Sequence, residues 1–142
     1  MTNHIRLATV YDAEELSILN QEFNGGTRRS SLEIKDRLVQ GKELVAVASE
    51  NDKLVGFACA QYFTSFCYDE PQGEITEMYV RESARRKGIA TSLIAILEKK
   101  LQDLQVREVK ILTGTNNLEA LQTYTKSHYA KQEETVLFKE LD

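Results

Sequence analysis

The spacing of apolar residues divides the chain into strand-like and helix-like segments. In "HIRLATV" (4–10), Ile5 and Leu7 alternate with polar neighbours and Val10 extends the run, predicting a strand. Asp12 with Glu15 is a capping-box pattern that opens a helix to about Asn20, and "FNGG" (23–26) breaks the chain. Ser30 with Glu33 repeats the box ahead of a short helix carrying Leu32, Ile34 and Leu38, which ends near Gly41. "ELVAVAS" (43–49) and "LVGFACAQYF" (54–63) are strand runs joined by the turn "ENDK" (50–53), predicting an antiparallel hairpin. "TSFCYDEPQG" (64–73) holds the only proline and reads as a loop. "EITEMYV" (74–80) is the next strand. "ARRKGIATSLIAILEKKL" (84–101) then passes from three cations through one glycine into a helix, with Ile89, Leu93, Ile96, Leu97, Leu101 and Leu104 on one face. "REVKILTG" (107–114) predicts a strand, "NNLEALQTYTK" (116–126) a helix and "EETVLFKEL" (133–141) a final strand. This order predicts one α/β domain over 1–142, a mixed, largely antiparallel sheet flanked by helices, with one βαβ crossover around the glycine-led helix.

Composition narrows the class. A chain of 142 residues can bury a core without disulfides. Its net charge of −4 argues against a nucleic-acid binder. Cys59 and Cys67 lack metal-ligand spacing and suggest no disulfide framework, which fits a reducing cytoplasm, and His4 and His128 as the sole histidines make a metal site unexpected. No apolar run reaches eighteen residues and "MTNHIRLATV" lacks a signal-peptide core, so neither a membrane span nor secretion is expected.

The start of the third helix stands apart. Asp12, Ser30 and Asn116, with Glu15, Glu33 and Glu119 behind them, offer acceptors to the other three helices. Here Arg85, Arg86 and Lys87 lead into Gly88 instead. The first N–H groups of any helix need partners, and together with the helix dipole and nearby cations they suit an anion. Gly88 carries no side chain to hold a phosphate off the backbone. A hydrated turn is the plainer alternative, and the hexapeptide alone does not decide. It is not a Walker A loop, because that motif's spacing is missing.

"RRKGIATSLIAIL" after "EMYV" closely resembles the acetyl-CoA-binding signature of the GCN5-related N-acetyltransferases, the GNAT family. "NNLEALQTY" is similar to the family's second signature, with Asn117, Ala120 and Tyr124 in register, and "IRLATVYDAEEL" resembles its first strand and helix. The resemblance spans nearly the whole chain. It implies that acetyl-CoA is the co-substrate and an amine the acceptor. Backbone amides from Arg86 through Gly88 and Ile89 to Ala90 would hold the pyrophosphate, within a binding segment running from Arg85 and Lys87 to Thr91. Main-chain groups along Met78, Tyr79 and Val80 would meet the pantetheine arm, those of Met78 and Val80 polarising the thioester. Asn117 would lie beside the arm and Tyr124 near the sulfur.

The chemistry asks for the same roles. An ammonium must lose a proton before it attacks a thioester, and the departing thiolate needs an acid, which a tyrosine O–H can supply. Glu74 and Glu77 are the candidate bases. In a regular strand they point to opposite faces, and the family's bulge could bring both to the cleft. Glu74 aligns with the glutamate of histone-type members, Glu77 with an aspartate of the aminoglycoside 3-N-acetyltransferases. The latter also resemble this chain in "RRKGIAT" and "YTK" (124–126), which favours Glu77. Asp69, Glu70, Glu74 and Glu77 together suggest a small cationic acceptor such as an aminoglycoside or polyamine. A CoA-binding sensor or interaction module without turnover is the alternative, and oligomeric state, a homodimer included, stays open. One position departs from the family: His128 stands where a glycine usually ends the second motif's helix, implying a rebuilt helix end and a changed acceptor wall.

Overall fold

The computed structural model describes residues 3–142. Five strands lie side by side in chain order: β1 (Asn3–Leu7), β2 (Leu44–Glu50), β3 (Lys53–Phe63), β4 (Gln72–Val80) and β5 (Val109–Ile111). The first three junctions are antiparallel, and β4 pairs with β5 in parallel. The parallel junction needs a long crossover, and helix α3 (Ile89–Asp103) supplies it. Helices α1 (Ala13–Asn24) and α2 (Ser31–Gln40) precede β2, and α4 (Leu118–Lys126) follows β5. The α/β fold and the single crossover are those the apolar pattern predicts.

Side-chain alternation along the strands builds two cores. Ala46, Ala48, Ala58 and Ala60 face α3, where their small size lets the large Leu93, Ile94, Leu97 and Leu101 sit down on the sheet. Those four helix residues have no exposed surface, and each such burial is worth roughly 1.5–3 kcal/mol. Val47, Phe57 and Cys59 face the other way, against Leu16 and Leu19 of α1, with Ile34 and Leu38 of α2 at the edge. The β2–β3 turn places Asn51 and Asp52 at positive φ, as a tight two-residue hairpin demands.

Several boundaries differ from the pattern's prediction. β1 stops at Leu7 because Thr9 caps a short 3-10 turn (Val10–Asp12), and Asp12 accepts from the Thr9 N–H at 2.7 Å. The box therefore pairs Thr9 with Asp12, one turn earlier than Asp12 with Glu15. Asp12 also holds Arg6 at 2.7 and 2.8 Å. Burial alone would raise its carboxyl, but hydrogen bonds from Arg6 and Thr9 outweigh burial and hold it below the usual range. Glu15 instead accepts from the Leu54 N–H on β3 at 2.8 Å. α1 runs on to Asn24, since Phe23, though partly exposed, continues its apolar stripe and packs on Tyr79 with ring centres 5.3 Å apart. On α3, Ile94 is fully buried while Ile96 is only partly covered, because the helix lies across a broad sheet face. Leu32 of α2 is exposed. The predicted strand at 107–114 is laddered only over Val109–Ile111, and the predicted final strand at 133–141 pairs with nothing among the described residues.

The end of α4 is not rebuilt. His128 occupies the left-handed region at φ 71°, and the Tyr129 N–H closes onto the Tyr124 carbonyl at 3.0 Å, as in a glycine-capped helix. The histidine carries the steric cost of that conformation. Replacing it by Gly should raise stability by about 0.5–1 kcal/mol, after the added freedom of the unfolded chain is discounted. Urea unfolding of His128→Gly checks this, and the denaturant slope should stay constant.

Candidate active site

A one-residue bulge in β4 decides where its side chains go. Cys59 pairs with Glu77 and the next residue, Ala60, pairs with Ile75, leaving Thr76 as the extra residue. Ile75 therefore turns toward α3, while Glu74 and Glu77 share the face covered by α1 and α2. The opposition expected of a regular strand is cancelled. Beyond the bulge, Met78 and Val80 face α3, and Tyr79 faces α1. Tyr79 donates to Glu22 at 3.1 Å, and Arg81 grips the same carboxylate at 2.7 and 2.9 Å, tying α1 to the end of β4.

On the α1–α2 face a pocket of about 500 Å³ opens. Its floor is a cross-strand row, Val45, Cys59 and Glu77, with Glu43 beside it. Asn20 and Asn24 of α1, Arg37 and Leu38 of α2, and Arg29 line the walls, Arg29 also pairing with Glu33 at 2.8 Å. Glu77 is open toward the pocket mouth, yet partial desolvation raises its pKa and the neighbouring Glu43 carboxylate adds to the rise. Burial pushes the Cys59 thiol well up, and both carboxylates push the same way, so it is no thiolate. Glu74 shares the face but does not line the pocket, and neither do Asp69 and Glu70; Glu70 instead lies 3.3 Å from Arg107.

The other flank of β4 is open. The Arg81 N–H bonds to the Val55 carbonyl at 2.8 Å, so by antiparallel alternation the main-chain groups of Met78 and Val80 point away from β3. β5 meets β4 only at Gly73, Glu74 and Ile75. Past Ile75 the two strands part, and the polar backbone of Met78 and Val80 faces the gap. The Arg85 Nε reaches back to the Val80 carbonyl at 2.7 Å. Tyr79 does not belong to this flank: its backbone is committed to β3 and its ring lies under α1.

α3 begins beside that gap. Gly88 is its N-cap at φ 79°, with no side-chain cap, and the first intrahelical bond is from the Ser92 N–H to the Gly88 carbonyl at 3.1 Å. The N–H groups of Ile89, Ala90 and Thr91 thus have no partner within the helix. A β-carbon at Gly88 would meet no protein atom within 4 Å, so the space over the glycine is free. Arg86 also adopts positive φ, at 65°. The Ile89 side chain is buried in the core, leaving only its backbone to the site. Lys87 pairs with Glu50 at 3.2 Å.

α4 closes the gap from the far side. Tyr124 is half-buried against the same core that holds Met78 and Ala90, and burial raises its pKa, which keeps its proton on at neutral pH. Asn117, rather than Asn116, caps α4, accepting from the Ala120 N–H at 3.2 Å. Its role in the helix is therefore structural first. Glu43, Arg29 and Arg37 were beyond sequence reasoning, because only the register of three strands and the docking of α2 bring them to Glu77.

The Acetyltransferase (GNAT) family matches residues 11–129. No curated protein matches in sequence. Among solved structures, an aminoglycoside acetyltransferase from an uncultured soil metagenomic sample superposes with a TM-score of 0.86 at 20% identity, covering 98% of this chain and 95% of that one. The aminoglycoside N-acetyltransferase AAC(6')-Iy, solved with a bisubstrate analogue of CoA and acetylneamine, gives a TM-score of 0.86 at 18% identity, with both chains fully covered. A ribosomal-protein-alanine N-acetyltransferase from Brucella melitensis biovar Abortus 2308 gives 0.81 at 20% identity, covering 99% of this chain and 100% of that one. At such identity these likenesses speak for a shared fold. With the family match over most of its length, the chain belongs to the GNAT acetyltransferases, enzymes whose acyl donor is acetyl-CoA.

Proposed function

We propose that this protein acetylates the primary amine of a small cationic acceptor seated in the pocket between α1, α2 and the sheet. The observation that carries this reading is the two-sidedness of β4. One face presents Glu77 to a pocket, and the free backbone edge beside it runs to the uncapped start of α3. The N–H groups from Gly88 to Thr91 would hold the pyrophosphate of acetyl-CoA, with Arg86 near it. Met78 and Val80 would pair with the pantetheine arm, and a main-chain N–H there would stabilise the charge developing on the carbonyl oxygen.

Glu77 takes the amine's proton, directly or through water. The nitrogen then bonds to the acyl carbon, the carbon–sulfur bond breaks, and Tyr124 returns a proton to the thiolate. The raised pKa of Glu77 and its place in the pocket suit a base, whereas Glu74 stands outside the pocket. Glu43 and Glu77 attract an ammonium to the floor, while Arg29 and Arg37 confine that preference to the floor and disfavour a cation at the α2 wall. An amino sugar, with one amine among hydroxyls, fits this division, and the aminoglycoside enzymes among the structural neighbours support it.

Three outcomes test the assignment. Gly88→Val should weaken acetyl-CoA binding at least tenfold, about 1.4 kcal/mol. Gly88→Asn, which tolerates positive φ but still adds a β-carbon, should show the same loss in calorimetry without a lowered melting temperature. Tyr124→Phe should lower kcat ~10- to 1,000-fold with acetyl-CoA affinity nearly unchanged; equal turnover would return Tyr124 to the core.

Glu77→Gln should lower kcat/KM by a factor that shrinks as pH rises, because more of the amine then arrives deprotonated. A flat ratio across pH would remove Glu77 as the base. Stability gives an independent reading. A carboxyl raised in the folded state contributes stability that is present below its unfolded pKa and lost as pH rises through the folded value. With the ordinary value at 4.5, Glu77→Gln should be slightly more stable than wild type at neutral pH and no more stable near pH 4, in paired thermal melts. If no amine releases CoA from the wild type, a CoA-binding module without turnover replaces the enzyme.

A further inference from the structure

The connection between α1 and α2, residues 25–30, has almost no structure of its own. It leaves α1 through Gly25 and Gly26, both at positive φ. From Gly26 to Arg29 it makes no backbone-to-backbone hydrogen bond among the described residues, and all of it is exposed. Yet Arg29 stands in the wall of the pocket above Glu77. Whatever holds it there lies outside the connection.

Side chains of α1 do the holding. Glu14, Ser17 and Gln21 are three and four residues apart and so share one helix face. Gln21 donates to the Gly26 carbonyl at 3.1 Å. The Ser17 hydroxyl donates to the Arg29 carbonyl and accepts from the Arg28 Nε at 2.9 Å. Glu14 takes the far end of the Arg28 guanidinium and the Ser31 hydroxyl, the latter at 2.9 Å, and both partners hold its carboxyl below the ordinary range. Ser17 is the buried member of this row, with no exposed surface. Alanine would suit the helix better at that position, and a buried hydroxyl needs hydrogen-bond partners. Both partners of this one belong to the connection. Leu16, Asn20 and Asn24, the α1 residues that line the pocket, form the neighbouring stripe of the same helix. The connection is therefore pinned alongside the surface an acceptor would meet.

Resting on the reading of that pocket as the acceptor site, we propose that Ser17 is a positioning residue for the acceptor. Through its two bonds to the connection it sets Arg29 in the pocket wall, and so fixes the width of the mouth over Cys59 and Glu77. Ser17 touches neither substrate. Its effect falls on how an amine is seated, and the coenzyme flank on the other edge of β4 is independent of it.

The protein carries its own probe of this wall. Cys59 lies on the pocket floor at 7% exposure, whereas Cys67 is exposed on the loop after β3. In a Cys67→Ser background, labelling by N-ethylmaleimide reports access to the floor alone. Ser17→Ala should raise the Cys59 labelling rate about tenfold, as expected for the loss of two hydrogen bonds. Hydrogen exchange of the β2 and β3 amides should stay at the wild-type level. An unchanged labelling rate would overturn the proposal. A rise matched by lost strand protection would also overturn it, by reducing Ser17 to a general role in stability. Arg28→Ala opens the same clamp from the exposed side without disturbing the core, and its labelling rate should rise as well; a wild-type rate there would exclude the clamp. With glucosamine and spermidine as acceptors, Ser17→Ala should raise KM for the amine about tenfold, with kcat and acetyl-CoA affinity unchanged. A fall in kcat at constant KM would count against positioning. If the wild type acetylates no amine, the enzyme reading fails, while the labelling rates still decide whether Ser17 holds the wall.

Discussion

The bulge at Thr76 is the constraint on which both halves of the site depend. It adds one residue to β4 opposite the junction of Cys59 and Ala60, and so reverses which way every side chain on one side of it points. With it, Glu74 and Glu77 share a face while Ile75 stays in the core beneath α3. Without it, either Glu77 or Ile75 would be on the wrong side, and burying a carboxylate against α3 is far costlier than one irregular pair. Position 77 reaches the pocket because position 76 is left over.

The bulge acts together with the parting of β4 and β5. Parallel pairing lasts only from Gly73 to Ile75, so the rest of β4 has one satisfied edge and one open edge. An open backbone edge inside a domain is normally a cost. Here it runs beside a helix whose first turn also lacks a cap, and unmet donors from a strand and a helix face one space. The two core clusters hold this arrangement from either side. α3 is pinned by its row of fully buried Leu and Ile residues, and α1 is tied to the end of β4 through Phe23, Tyr79, Glu22 and Arg81.

Much of this was legible in the sequence, for local reasons. A helix that opens on cations and a glycine, when its companions open on acceptors, stands out without coordinates, and the structure leaves that N-terminus uncapped as expected. The hairpin turn at Asn51 and Asp52, the Ser30 cap and the Gly41 stop all depend on residues adjacent in the chain. Two caps shift by a turn or less: Asp12 serves Thr9 and Arg6 instead of α1, and Asn117 takes the place expected of Asn116. At α4 the two adjacent asparagines compete for one helix end and Asn117 takes it, whereas near α1 the capping bond serves the preceding 3-10 turn and Asp12 makes no side-chain cap to α1. Packing of the helix onto the sheet fixes the backbone angles there, and those angles select which acceptor is used.

Long-range choices were not legible. That Glu77 belongs to a pocket with Glu43, Arg29 and Arg37 depends on the register of β2, β3 and β4 and the docking of α2, none of which one strand's alternation encodes. The position of Tyr79 under α1, away from the coenzyme flank, was hidden for the same reason. His128 holds a glycine's conformation because the closing bond from Tyr129 and the burial of Tyr129 against the core outweigh the strain at one residue. The elements, their order and the uncapped helix are written in the chain alone, since each rests on periodicity or on side chains within one turn. Which carboxylate faces a pocket and which strands find partners emerged only on folding, because strand pairing is a contact between distant segments whose register one residue can reverse.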